Sequence, residues 1–298
     1  MAFEKTGLNY AKEYSQALAQ AYPYTLYFGA LWGATKTEVK FLNNNTVILP
    51  SLSVKGRGNG DRDSIGTFAR NFNNAEETKT LKNHRTWKTL VHPRDIQETN
   101  HIATIQNITK VMNEEQKFPE MDAEMITALY SLKDKIETIT EGDILTVSNV
   151  LTQFDALMDK MDEKRVPTAG RILYVDTFTK TLIDTAKDVV RTSGDTKLGR
   201  TVSRIDEVEV IGVPTSVMKS AYNFTDDGFE VAENAKDVKM MLVHPSAVIP
   251  VIAYDFAQLG LPSTLSEGKY TYFEESFEDV FIFDKKHDGI QFYIEKTA

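Results

Sequence analysis

The chain is 298 residues long, with 41% hydrophobic and 26% charged residues, an ordinary globular composition that excludes disordered, collagen-like and low-complexity classes. It contains no cysteine, which excludes disulfides, thiolate metal sites and cysteine nucleophiles, and it has neither the ~18-residue apolar run of a membrane-spanning helix nor the opening pattern of a signal peptide. The formal net charge is -9, from 34 basic and 43 acidic residues, which argues against a protein whose main work is gripping nucleic acid.

That charge is unevenly placed. Lys55 to Arg94 carries nine basic and four acidic residues, a local +5; Asp95 to the end carries 21 basic and 36 acidic, a local -15. A basic segment on an acidic body suits either a nucleic-acid patch or an arm that docks on an acidic neighbour of the same kind.

At the start of the chain, Tyr10, Tyr14, Leu18 and Tyr22 recur at helical spacing until Pro23 breaks the pattern. An aromatic stretch, Tyr24 to Trp32, follows. Residues 37–54 read as extended chain, with a turn at Asn43, Asn44 and Asn45. Lys55 to Asp63 interleaves three glycines with charges and predicts an exposed tip. A second loop is expected at Asn71, Asn73 and Asn74, then one long polar strand over 77–91. Together these predict a β-ribbon that buries too little surface to stand alone. In a monomer it would be an exposed edge, so it folds over its own body or lies on another subunit, and the charge contrast favours the second.

Residues 95–139 read as helical. Ile102, Ile105, Ile108, Val111 and Met112 form one apolar stripe, and Pro119-Glu-Met-Asp122 reads as a fresh helix start. Met125, Leu129, Leu132, Ile136 and Ile139 continue at spacings of 4 and 3, with Gly142 as the expected stop. Residues 144–258 alternate helix and strand. A helix capped by Ser148 or Asn149 carries Val150, Phe154, Leu157, Met158 and Met161, and another carries Phe178, Leu182, Ile183, Ala186 and Val190. Strands are expected at 172–175, 208–213 and 238–243, and a short helix from Ser246 to Phe256 despite Pro250. Val280 to Phe283 and Ile290 to Ile294 read as a hairpin turning at 285–289.

No catalytic constellation stands out. The five histidines, His84, His92, His101, His244 and His287, form no i,i+3 or i,i+4 pair, and no HExxH is present. G-x-S-x-G and Walker A sequences are absent, and Gly56-x-Gly58-x-Gly60 has the wrong spacing for a dinucleotide loop. No metal or cofactor is expected. The residues alone predict an assembling protein with an extended basic arm.

The run His92-Pro-Arg-Asp-Ile-Gln-Glu-Thr-Asn100, then Asn107-Ile108, then Pro119-Glu-Met-Asp-Ala123, resembles tailed-phage major capsid proteins with the HK97-type fold. Val166-Pro-Thr-Ala-Gly-Arg-Ile-Leu-Tyr-Val175, Val208 to Pro214 and Met241 to Ala247 are similar to later segments of that family, in the family's order. The resemblance implies an α+β subunit with an N-terminal arm (1–35) and an extended β-ribbon, the E-loop (36–91). It further implies a P-domain containing a long spine helix (92–144), an α/β A-domain (145–268), and C-terminal P-domain strands (269–298).

The implied function is a coat protein that self-assembles, through hexamers and pentamers, into the icosahedral head enclosing phage DNA. No enzymatic activity is implied. The intersubunit residues would be Lys55, Arg57 and Arg62 at the ribbon tip, and the spine core would be Ile102, Ile105, Ile108 and Met112. Some family members crosslink through an E-loop lysine; Lys55 stands in that place, with no identifiable partner. With only about 34 residues before the ribbon, a separate scaffolding protein is expected, alongside a portal protein. Packaged double-stranded DNA would be enclosed without sequence-specific binding, and the location would be the virion, after assembly in the host cytoplasm. Two alternatives stay open: an encapsulin-type cellular compartment on the same fold, and a cytoplasmic α/β enzyme using His244 with a carboxylate such as Asp255.

Overall fold

The computed structural model describes residues 24–33, 40–43, 46–57, 70–99, 104–131, 139–191, 204–205, 208–226 and 228–296. Its strands in chain order are β1 (Lys40–Asn43), β2 (Thr46–Val54), β3 (Phe72–Thr80), β4 (His84–Val91), β5 (Ile139–Gly142), β6 (Ile172–Asp176), β7 (Arg204–Ile205), β8 (Val208–Val213), β9 (Tyr222–Thr225), β10 (Gly228–Val231), β11 (Val238–Val243), β12 (Val248–Gly260), β13 (Tyr270–Ile282) and β14 (Ile290–Glu295). The α-helices are α1 (Gly29–Trp32), α2 (Pro93–Glu98), α3 (Ile105–Met112), α4 (Phe118–Tyr130), α5 (Val150–Glu163) and α6 (Thr177–Arg191).

The main body is a six-stranded mixed sheet in the order β5-β14-β11-β6-β8-β7. Its central strands read as continuous apolar runs, Ile172-Leu-Tyr-Val175 and Met240-Met-Leu-Val243, and are buried along their length. Such runs belong to strands covered on both faces. One face packs on Phe154, Leu157 and Met161 of α5 and Ile183 and Ala186 of α6. The other packs on Met125, Ile126 and Leu129 of α4 and on Phe28 and Leu31 of the α1 segment. The strands expected at 172–175, 208–213 and 238–243 and the two helices before and after the first of them are present. The parallel pair β6 and β8 is joined through α6, as parallel pairing requires.

A second sheet, β12-β13-β4, is antiparallel throughout. A third, β1-β2-β3, is the ribbon. The two meet in a small core of Val47, Leu49, Leu81, Ile249 and Val251, with Phe277 and Phe281 against it.

Six expectations are corrected. The return strand of the ribbon is β3, so Asn73 and Asn74 are strand residues rather than a loop; they pair with Ser53 and Leu52. Residues 77–91 are not one strand: the chain breaks at 81–83, where Leu81 is buried, and β4 joins β13 instead. Pro119 stands in the first turn of α4 as expected, but that helix is not a fresh one. A π-helical turn, Asn113–Lys117, links α3 to α4 without a break. A proline inside an α-helix would clash with the carbonyl four residues back; the wider turn before it lets the helix run on, about 39 Å from Ile105 to Tyr130.

The expected helix from Ser246 to Phe256 is a single 3-10 turn, Pro245–Ala247, followed by β12. Pro250 is tolerated because β12 is the edge of its sheet. Finally, β13 and β14 are not a hairpin. The 3-10 turn His287–Gly289 carries the chain from one sheet to the other, fixed by His244 N donating to Gly289 O at 2.8 Å. Gly142 likewise ends no helix: it lies in β5, where an added Cβ would stand 2.2 Å from Tyr293 Oη. Leu132 and Ile136 fall outside the described residues, as do Tyr10, Tyr14, Leu18 and Tyr22.

Candidate assembly surface

The ribbon is anchored at one end and uncovered at the other. At its base Val47 and Leu49 are buried against β12. Lys79 Nζ meets Asp284 at 2.7 Å, and Lys285 Nζ donates to Leu52 O at 2.8 Å. Toward the tip, Leu52, Val54 and Phe72 are 61%, 65% and 50% exposed. Val54 pairs directly with Phe72, and Leu52 lies two residues from Val54. Strand periodicity therefore puts all three on one face, opposite to the face carrying Val47 and Leu49. The result is an apolar stripe turned away from the ribbon's own anchorage.

Cations surround this stripe. The Arg70 guanidinium sits 4.9 Å over the Phe72 ring and donates through Nε to Phe72 O. Lys55 N donates to Asn71 O at 2.8 Å, closing the ladder. Lys55 and Arg57 are exposed, as expected of a tip; Arg62 lies outside the described residues.

A second uncovered arm went unread in the sequence. The far end of the β12–β13 hairpin exposes Phe256, Leu259, Leu261, Leu265 and Phe273. The readable signal was the β-branched run Val248-Ile-Pro-Val-Ile252 followed by alternation in 270–282; the helix assignment concealed it.

The expected spine core is only partly placed. Ile102 lies outside the described residues, and Ile105, Ile108 and Met112 are half-exposed, with no residue of α3 buried. The buried part of the long helix is α4, where Ala123, Met125, Ile126 and Leu129 face the sheet. Asp122, fully buried, accepts hydrogen bonds from Tyr24 Oη at 2.7 Å, Tyr27 N at 2.9 Å and Phe28 N at 3.0 Å. It ties the segment before α1 to the long helix. Burial pushes its carboxyl up to about 6 despite these donors.

His244 and Asp255 are not brought together. His244 bonds Ser246 Oγ and lies 3.3 Å from Ala169 O, with burial pushing its pKa down; Asp255 belongs to β12 in the other sheet. Among the described residues no group of acids and histidines could hold a metal ion.

Neither a protein-family model nor a curated protein sequence matches the chain. Solved structures do. The capsid of the cyanophage P-SCSP1u superposes with a TM-score of 0.72 at 11% identity, over 99% of this chain and 97% of that one. The mature capsid of bacteriophage PhiM1 gives 0.70 at 11% identity, over 97% and 92%. The capsid of Ralstonia phage GP4 gives 0.57 at 11% identity, over 97% and 96%.

The chain has a phage capsid fold. Nearly the whole length takes part, ribbon and second hairpin included, so the two uncovered arms belong to the capsid fold rather than decorating some other one. At 11% identity the likeness lies in architecture; the side chains that would meet across a capsid contact are this chain's own.

Proposed function

We propose that the protein is the major capsid protein of a tailed phage, with the HK97-type arrangement, and that it self-assembles into the icosahedral shell enclosing the phage DNA. The observation that carries this reading is full-length superposition on phage capsid structures. In this reading the ribbon over 36–91 is the E-loop lying on an adjacent subunit. The helix from Ile105 is the spine, 145–268 is the domain at the capsomer axes, and β14 returns to complete the subunit. The half-exposed Ile105, Ile108 and Met112 then gain cover from neighbours. The mechanism is assembly: many weak contacts per subunit sum to a stable shell.

A separate scaffolding protein, a portal and double-stranded DNA are the proposed partners, with the virion as the final location. An acidic chain of formal charge -9 encloses DNA without gripping it. Negative-stain electron microscopy of the purified full chain tests the proposal. Closed shells, or hexameric and pentameric capsomers, are expected. A discrete oligomer that is neither a hexamer nor a pentamer and never closes into a shell overturns it.

A further inference from the structure

Where α4 crosses the sheet β12-β13-β4, an unusual number of acids is buried. One face of β13 turns Glu274, Ser276 and Glu278 inward, followed by the apolar Val280 and Ile282. Asp255 of β12 and Arg85 of β4 flank Ser276 in the same cross-strand row. The long helix contributes Lys117, Glu120 and Glu124 to this face. Glu124 and Glu278 are only 5% and 6% exposed.

The cations are already engaged. Lys117 is paired with Glu274, whose other oxygen accepts from Tyr272 Oη at 3.1 Å. Arg85 Nε meets Glu120 at 2.5 Å, and its remaining nitrogens reach the carbonyls of Thr225 and Gly228 on the β9–β10 hairpin. Glu124 receives an amide instead: Asn83 Nδ2 donates to Oε2 at 2.5 Å, while Oε1 is buried with no hydrogen-bond partner. An ionised carboxylate stranded in this way loses far more hydration than a neutral carboxyl does.

We propose that this seam is a proton-operated clamp: with Glu124 and Glu278 protonated the long helix is held on the three-stranded sheet, and their ionisation loosens it. The groups facing the pair are mostly of their own sign. Lys117 and Glu120 come from the helix, Asp255 from β12, and Glu274 and Asp279 from β13. Asp279 accepts from Lys82 N at 2.9 Å in the turn before β4, and Arg85 is the basic side chain of β4 turned to this face. Burial, then the neighbouring acids Glu278 and Asp279, pushes Glu124 up to about 9; burial, against the pull of Lys117, pushes Glu278 up to about 7. The π-helical turn at 113–117 adjoins the seam and carries Lys117. Such turns are rare, occur mostly as single-turn interruptions of α-helices, and are frequent at functional sites.

Both groups hold their proton more tightly folded than unfolded. The stability they contribute is therefore complete below the ordinary carboxylate range and is lost as pH rises through about 7 and about 9. The test is thermal unfolding of the full chain across that range, for the wild type and for Glu124→Gln, Glu278→Gln and the double variant. Glutamine keeps the shape and an acceptor for Asn83 and cannot ionise. The wild-type Tm is expected to fall with pH, and the double variant to lose more than half of that fall.

Amide hydrogen exchange, corrected for its intrinsic pH dependence, should speed up in 113–130 of the wild type at alkaline pH and stay constant in the double variant. A double variant with the wild-type slope, or exchange in that segment unchanged by pH in the wild type, overturns the proposal. Infrared spectroscopy of the wild type supplies a readout that needs no variant. At a pH midway between the two values above, a protonated-carboxyl band is expected, and its absence overturns the proposal.

Discussion

The apolar stripe on the ribbon gives the sharpest prediction. Replacing Leu52, Val54 and Phe72 together with serine removes side chains that are 61%, 65% and 50% exposed and lie opposite the face packed on the body. Full burial of such a side chain is worth about 1.5–3 kcal/mol. Between half and two-thirds of each is still open, so covering all three by a neighbour supplies roughly 3–5 kcal/mol per contact on the same scale. Ordering the ribbon on its neighbour consumes part of this. At about 1.4 kcal/mol per tenfold, the subunit concentration needed for assembly should rise by a factor on the order of 10²–10³.

Light scattering against concentration measures that threshold, and thermal unfolding of the unassembled subunit gives the control. The subunit itself should be unaffected, because surface substitutions away from packed features typically stay within about 0.5 kcal/mol. A threshold within twofold of wild type, or a subunit destabilised as much as assembly is, would refute the assignment of this stripe to an intersubunit contact.

Three further outcomes are expected. Ile126→Ala in the core of α4 should destabilise the isolated subunit by about 2–5 kcal/mol. Ile105→Ala, at a half-exposed position of the same helix, should cost far less in that assay and show its effect only in shell yield; equal losses in chemical denaturation would contradict this. Asp122→Asn keeps one acceptor oxygen where three donors converge and turns an NH₂ toward them, so a loss of about 1–3 kcal/mol is expected, with limited proteolysis near residue 24 marking the freed segment. Charge reversal at Lys55 and Arg57 should impair assembly more at low salt than at 1 M, where the Debye length is about 3 Å; a salt response identical to wild type would remove electrostatics from ribbon docking.

What could be read from the sequence followed the strength of the local periodic signal. The helices α5 and α6 were legible because Val150, Phe154, Leu157 and Met161 recur on one face of the first over three turns, and Ile183 and Ala186 share one face of the second. β6 and β11 were legible because strands covered on both faces are apolar without a break. The ribbon was legible as an object but not in its pairing: Val54 meets Phe72 and Leu52 meets Asn74, and nothing local to Asn73 or Asn74 announces a strand.

The long helix was misdivided because proline normally opens a helix, and a π-helical turn has no sequence signature of its own. β12 was misread because a short apolar run containing Pro250 does not distinguish an edge strand from a helix. The buried carboxyls were invisible for a different reason. Glu124 and Glu278 are far apart in sequence, and only the packing of helix on sheet reveals that both are out of water.

The strand order of the main sheet has a kinetic consequence. β14 lies between β5 and β11, so it is the only described link between β5 and the rest of that sheet, while β4 waits for β13, pairing His84 with Phe277. A chain still being translated can assemble neither sheet in full until residues 270–295 emerge. Pairings this distant in sequence close slowly. Completion of both sheets is thereby a late, whole-chain folding step, and a chain cut short of β13 and β14 has neither sheet whole.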